Sequence, residues 1–488
     1  MHFWRTAVAL ISALALGVAS QTCAGGPIQN GEFKEGRNYF ENVSDKMGIL
    51  SYAKNFDVTY HKAYKIVTVR NPSLSPIKFI LHLCNSPKPT EEGVSTTIAV
   101  PVTKVAIADS DIYSSAYIEA LYVTSPCLLK QLADNQTQVY GDGAILTGSA
   151  NVGFGAASPP GSPGTVFIRT EEAIRAEASP LARAEWLKFF ALFYNGEDAA
   201  NALFTQVEKL YSCQSAFAKV SKSTKRVAWL RAENLNKPAD KFESYDEAYT
   251  STLISDAGME PLKLPPASSR DKTIEVLKQT DMLVEDTYIG VMSNYSWNTL
   301  SELYVADPRD TLAFPFVGTK GLDSLVFKPD RWRTIFGVDN YIYHHWAQPD
   351  VLLNDFLFAS EYNVRLNRHG RWFRAVAAGD EEVAIGADKC SPDDPAATLV
   401  FPPGLDCSAH VVQKPGAGLS TGGSHGGSAA GITIAVVLAA ALGVVIFIFR
   451  FDIMDKFHAF KEGRMGHGGD PIDSWSRTKG RNGAIELQ

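Results

Sequence analysis

The apolar positions of this chain fall into three patterns, and each predicts a different kind of element. Two runs are unbroken. AVALISALALGV (7–18) follows Arg5, and AAGITIAVVLAAALGVVIFIF (429–449) ends at Arg450 without a charge inside it. The first is short and leads into small residues, Val18-Ala19-Ser20, so it reads as a cleaved export signal. The second has the length of a helix that crosses a bilayer, about 20 apolar residues. A second pattern is short and strand-like. YKIVTV (64–69) and KFILHLC (78–84) flank the turn-rich NPSLSP and read as a hairpin. TTIAVP (96–101), KVAIA (104–108), RVAWLRA (226–232) and LAFPFVG (312–318) read as further strands.

The third pattern is helical. IYSSAYIEALYV (112–123), EAYTSTLISDAG (247–258) and PDVLLNDFLFA (349–359) have helical spacing, and Gly258 supplies a stop for the second of these. KTIEVLKQTDMLVED (272–286) reads as helix, then strand. Ser179-Pro180 opens the longest stretch as a cap followed by proline in the first turn. LARAEWLKFFALFYN (181–195) runs on in register through EDAANALFTQVEKLYSCQSAFAKV (197–220), with Gly196 as a point where it can bend. Residues 141–165 read as a long loop.

Strands alternating with helices on both sides of a long helix predict an α/β fold. The expected architecture is two α/β lobes joined by a long helical spine, plus a single C-terminal transmembrane helix. The boundaries are a signal at 1–20, an N-terminal lobe at 21–180, the spine at 181–220 and a C-terminal lobe at 221–385. A flexible stalk rich in Gly, Ser, Pro and Ala follows at 386–428, then the span at 429–449 and a tail at 450–488.

Charge orients this layout. Arg450, Lys456, Lys461, Arg464, Arg477, Lys479 and Arg481 follow the span, against Lys414 alone in 411–428. The tail is therefore expected in the cytosol, as in a type I protein of the plasma membrane or an endosome. A net charge of −7 argues against a nucleic-acid partner. Six cysteines on the exported side suggest up to three disulfides, with Cys390 and Cys407, neighbours in sequence, as the expected pair. Asn42, Asn135 and Asn294 begin glycosylation sequons, again on the exported side.

Five stretches, the first two of them parts of one lobe, then carry a resemblance. VTYHKAYKIVTV (58–69) is followed by IAVPVTKVAIADS (98–110), and PLARAEWLKFFALFYNGEDAANALF (180–204) comes next. SYDEAYTSTLISDAG (244–258) and HWAQPDVLLNDFLF (345–358) complete the order. Together they resemble the helical-hinge, class III periplasmic substrate-binding proteins that serve ABC importers of ferric siderophores, cobalamin and haem. Met259 stands where that family often has a second glycine, and Gln348 where it often has arginine. No lipobox precedes Cys23. The single-span anchor looks more like the membrane-anchored siderophore-binding proteins of eukaryotic algae. The resemblance implies a receptor, not an enzyme, that captures an iron complex such as a ferric siderophore and carries no intrinsic cofactor. Downstream partners would be a permease, a reductase or endocytic machinery. An adhesion or signalling receptor that kept the fold without a small ligand is the rival reading, and a metal-dependent exported enzyme a third.

Ligands of that family sit between the lobes, against loops at strand ends. Three stretches qualify. Asp109-Ser110-Asp111, with Tyr113 beyond, offers carboxylates for a hard cation or a hydroxylated ligand, or simply a helix cap. Trp229, Arg231 and Glu233 end the RVAWLRA strand. Arg suits an anionic chelate and Trp a flat one, although strand alternation equally allows Trp229 in the core. Tyr341, Tyr343, His344, His345 and Trp346 form the densest aromatic and imidazole cluster. Histidine and tyrosine ligate iron, but adjacent histidines on a strand would face opposite ways. The Gly-x-Ser-x-Gly matches at 418–422 and 422–426 lack the strand and helix that a nucleophile elbow requires.

Overall fold

The computed structural model describes residues 28, 32–41, 50–102, 105–108, 112–121, 138–140, 150–155, 165–221, 223–234, 239–288, 295–305, 325–333, 340–360, 370–376, 378, 380–384 and 405–407. Both apolar runs, the tail, Asp109, Asp111, Cys390, the strand expected at 312–318 and the sequons at Asn42, Asn135 and Asn294 lie outside them. Among the described residues no helix is long and apolar enough to cross a membrane. The chain divides into two compact units, Met1–Gly422 and Gly423–Gln488, and every described residue belongs to the first.

The fold is mixed α/β. Strands β1 (Phe56–Tyr60), β2 (Tyr64–Val69), β3 (Ile77–Leu83) and β4 (Thr96–Val100) form one sheet in that order, antiparallel except for the β3–β4 pair. The expected hairpin is β2–β3. On β2 the inward positions are Lys65, Val67 and Val69. A lysine at a core position needs a partner, and Glu197 supplies it as an ion pair.

A second sheet is wholly parallel. Strands β5 (Val105–Ala108), β6 (Gln138–Tyr140), β7 (Val152–Phe154) and β8 (Val166–Ile168) lie in the order β6-β5-β7-β8. The stretch 141–165 is thus not all loop, because β7 pairs with β5 inside it. Gly153 hides the strand from a hydrophobic pattern, yet the site requires it: a Cβ there would stand 2.4 Å from the Phe167 ring. Helix α1 (Ile112–Ala120) follows β5, and α2 (Glu171–Arg175) follows β8.

The expected continuous spine is two helices. In α3 (Pro180–Ala191) the Ser179 hydroxyl accepts from the Ala182 N–H, as the sequence predicts, and every residue is buried. The chain then tightens into a 3₁₀ turn at Leu192–Tyr194, and Asn195 turns left-handed at φ 54°. Helix α4 (Glu197–Ser221) returns beside α3, so that the Lys188 ammonium lies 4.6 Å from the centre of the Phe204 ring. With 25 residues, α4 alone is about 37 Å long. Its first residue pairs with Lys65 of the first sheet. Farther along, the Tyr211 hydroxyl donates to Asp256.

That aspartate ends α5 (Glu247–Asp256), part of a third group of elements. Strands β9 (Arg226–Ala232), β10 (Lys241–Ser244), β11 (Glu260–Leu262), β12 (Ser268–Ser269), β13 (Met282–Glu285), β14 (Val326–Lys328) and β16 (Arg374–Ala375) make a seven-stranded sheet. Its centre, β9–β13–β14, is parallel. Strands β15 (Trp332–Arg333) and β17 (Val383–Ala384) pair apart from it. Helices α6 (Arg270–Leu277), α7 (Trp297–Tyr304), α8 (Asn340–His344) and α9 (Pro349–Ser360) complete the described elements. One continuous core runs from Phe79 and Trp186 to Trp229, Phe356 and Trp372.

The cysteine expectation is overturned. Cys407 bonds Cys213 of α4, not Cys390, across a separation of 194 residues. Nearness in sequence did not decide the pairing. Leu405 and Cys407 dock instead on an apolar stripe of Leu210, Ala218 and Leu357. Residues 405–407, assigned to the stalk by composition, are therefore packed onto α4. Cys84 is also disulfide-bonded.

Candidate functional site

In open sheets ligands gather beyond the carboxyl ends of parallel strands. At that end of β9 and β13, three partly exposed side chains, Arg231, Tyr245 and Asp286, come together. Arg231 donates from Nε to Glu243 at 2.7 Å, and its guanidinium lies 5.1 Å from the centre of the Tyr245 ring. Burial pulls the Arg231 pKa down, but the bond to Glu243 and the carboxylates nearby outweigh it and leave the value raised. Asp286 follows β13, and its carboxylate accepts from the Trp229 indole N–H at 3.1 Å. Tyr288, two residues on, is 45 % exposed. Arg231, Tyr245 and Asp286 form a rim that solvent reaches.

Behind the rim lies a closed aromatic wall. Trp229 is buried, with the rings of Tyr245, Tyr341, Phe356 and Phe373 centred 5.5–6.2 Å away. Tyr341 stacks on His345 at 4.1 Å, and His345 meets Trp346 at 3.7 Å. The loop expected before the closing helix begins instead as the short helix α8, and both His344 and His345 turn into buried surroundings. His345 is fully buried, and burial drives its pKa well below the ordinary value, so the ring is neutral. Its Nδ1 lies 2.7 Å from the Tyr341 carbonyl, which can only accept. The proton therefore sits on Nδ1, and Nε2 is a buried lone pair without a partner. The Tyr341 hydroxyl, Gln348 Oε1 and Asp350 Oδ1 are also buried and unpaired. Burial raises the Asp350 pKa to about 7.

The predicted residues are thus brought together selectively. Trp229, Tyr341, His345 and Trp346 share one cluster, as wall rather than open surface. Arg231 stands at the rim, already engaged by a carboxylate. Glu233 serves the local fold instead, where its carboxylate accepts from the Ala267 N–H at 2.5 Å. Helix α8, which carries Tyr343, packs against α1, which carries Tyr113 and follows the Asp109–Asp111 stretch. Among the described residues no group of three or more His, Cys, Asp or Glu is placed to hold a metal ion.

The sequence reading missed Tyr245 and Asp286, and above all Arg183. This arginine of α3 is fully buried. It donates from two nitrogens to both oxygens of Asp246, at 2.5 and 3.0 Å. Its guanidinium lies 4.4 Å from the Tyr249 ring and 4.7 Å from the Trp346 ring. The available signal was an arginine inside the apolar run PLARAEWLKFFA, since a charge buried there must be paired.

No family model matches the sequence, and no curated protein matches it. Among solved structures the chain is similar in shape to several periplasmic binding proteins. A periplasmic solute binding protein from Mycobacterium smegmatis aligns at a TM-score of 0.39 and 12% identity, covering 61% of this chain and 98% of that one. The triscatecholate siderophore binding protein FeuA from Bacillus subtilis, complexed with ferri-bacillibactin, aligns at 0.38 and 14%, covering 57% and 99%. A periplasmic heme binding protein from Pseudomonas aeruginosa gives 0.35 and 11%, covering 58% and 100%. Scores this low identify no ligand for this chain.

Proposed function

We propose that this protein is a substrate-binding receptor that captures an iron complex, a ferric siderophore in the first instance, at a cell surface or in an endosome. The observation that carries the reading is the seam beside α8. Elements from two of the three stretches picked out by the family resemblance meet there, since α8 packs on α1 and its Tyr341 lies beside the Arg231–Tyr245–Asp286 rim. Aromatic faces and buried, unpaired polar atoms suit the reversible holding of a guest better than bond-making chemistry. On this reading the 429–449 run anchors the receptor, the export signal places its globular part outside, and the tail is free to engage endocytic machinery, a reductase or a permease.

The test is titration of the purified full-length chain with a ferric tris-catecholate, a ferric trihydroxamate, cobalamin and haemin, read by tryptophan fluorescence. Trp229 and Trp346 stand in or against the wall, so occupancy of the seam is expected to change their emission. No change with any probe at micromolar concentration sinks the reading.

A further inference from the structure

Asp246 precedes α5 in the position of a helix cap, a place where aspartate is favoured. Yet its side chain makes no capping bond, and its backbone is left-handed at φ 39°. Such a conformation is uncommon for a residue other than glycine and persists where the surroundings dictate it. Here the surroundings are Arg183. Both oxygens of Asp246 are taken by the guanidinium, and the same group donates from Nε to the Glu177 carbonyl at 2.6 Å and from Nη2 to the Arg175 carbonyl at 2.8 Å. The rings of Tyr249 and Trp346 cover its faces. The Arg183 carbonyl in turn accepts from the Tyr117 hydroxyl of α1. One side chain from α3 therefore joins the α2–α3 connection to the turn that begins α5.

That turn also presents the rim. Tyr245, whose ring lies under Arg231 and beside Trp229, is the residue before Asp246. We propose that Arg183 is a positioning residue for ligand capture: by gripping Asp246 it holds the left-handed turn that sets Tyr245, and with it Arg231, in the rim. Arg183 is buried and does not itself touch a guest. The grip needs a planar fork with parallel donors, which lysine lacks. The importance for capture rests on the binding reading above; the grip on the turn does not.

Two measurements keep these apart. The first is hydrogen exchange in the full-length chain, without ligand. The Ser244, Tyr245 and Thr250 N–H groups are bonded to the carbonyls of Leu264, Trp229 and Asp246 and report on the turn. In Arg183→Met their exchange is expected to rise at least tenfold, relative to the β2–β3 hairpin of the same molecules. If Arg183→Met does not accumulate as folded protein, Arg183→Lys and Asp246→Asn are measured with the same expectation. Wild-type exchange at these amides in a folded variant overturns the proposal. The second measurement is binding of the ferric tris-catecholate, the ferric trihydroxamate and haemin. For any probe that the wild type holds, Arg183→Lys is expected to weaken affinity about tenfold, and unchanged affinity overturns the positioning role. A wild type that binds none of them refutes the capture role, and the exchange result still decides the grip.

Discussion

The buried charged groups on the first-sheet side of α3 and four buried polar atoms beside α8 and α9 are treated in opposite ways. Toward the first sheet, the buried charged side chains Lys65, Glu177, Glu185, Lys188 and Glu197 are all paired. The Glu185 carboxylate accepts from the N–H groups of Ser51, Tyr52 and Ala53 at 2.8–3.0 Å and holds the Lys188 ammonium at 2.7 Å. Glu177 accepts from Lys54 and Asn55. Lys65 donates to the Leu192 carbonyl and the Asn195 side chain and pairs with Glu197. Toward α8 and α9, the Tyr341 hydroxyl, His345 Nε2, Gln348 Oε1 and Asp350 Oδ1 are buried with no partner. Unmade hydrogen bonds are expensive, so native folds keep few of them. Paired charges tie α3 to the first sheet and to the segment 51–55. Unsaturated groups beside α8 and α9 leave bonding capacity that a guest or water can take up.

The largest effect is expected where saturation is complete. Glu185→Ala removes the acceptor of three backbone N–H groups and strands Lys188, which is 5 % exposed. Breaking a buried pair from one side costs about 3–5 kcal/mol. Urea unfolding at pH 7 should show a loss of that size at unchanged m-value, with Glu185→Gln retaining part of it. A loss under about 1 kcal/mol would mean that the segment 51–55 is held by something else.

On the other side, removing a charge should help. Burial raises the Asp350 carboxyl to about 7, so the folded chain holds this proton where the unfolded chain has released it. Its contribution to stability is present below the ordinary carboxylate range and is lost as pH rises through about 7. Asp350→Asn removes that loss. The variant should gain about 3–4 kcal/mol over wild type between pH 4 and pH 8, measured as the difference in unfolding free energy. Asp355 of the same helix, raised to about 6 by burial, keeps a smaller slope of the same sign in both proteins. That carboxylate accepts from the Arg371, Trp372 and Phe373 N–H groups. Equal pH profiles for Asp350→Asn and wild type would break the contrast between the two regions.

The same contrast explains what could be read from the sequence. Periodic segments were legible: β2, β3, β9, β13 and α5 follow their hydrophobic patterns almost residue for residue. The break at Asn195 was not, because apolar spacing continues through it while the left-handed residue leaves no mark on the pattern. Strand β7 was hidden by the glycine that Phe167 demands. The site residues were found as chemistry but not as geometry. Trp229 and Trp346 are rich in binding potential and equally fit for a core, and they are packed into one. Arg231 looked free to meet an anion, but Glu243 sits twelve residues ahead on the neighbouring antiparallel strand, directly opposite it. Pairing of that kind is a property of register, which one sequence does not display.

The finest probe of the unsaturated wall is a single oxygen. Tyr341 is 1 % exposed, and its hydroxyl has no hydrogen-bond partner. Burial lifts its pKa well above the usual phenol value, helped by the Asp286 carboxylate nearby, so it stays neutral and able to donate. Tyr341→Phe keeps the ring that stacks on His345 and packs beside Trp229. Removing an unpaired buried hydroxyl costs nothing in bonds and spares its desolvation, so stability should be unchanged or rise by up to about 1 kcal/mol. For a paired hydroxyl the same change would cost about 1 kcal/mol or more. Affinity for any iron complex that the wild type holds should meanwhile fall, because the donor is lost only to the guest. A variant that is less stable yet binds as well as wild type would place the Tyr341 hydroxyl among the paired groups and erase the difference between the two regions.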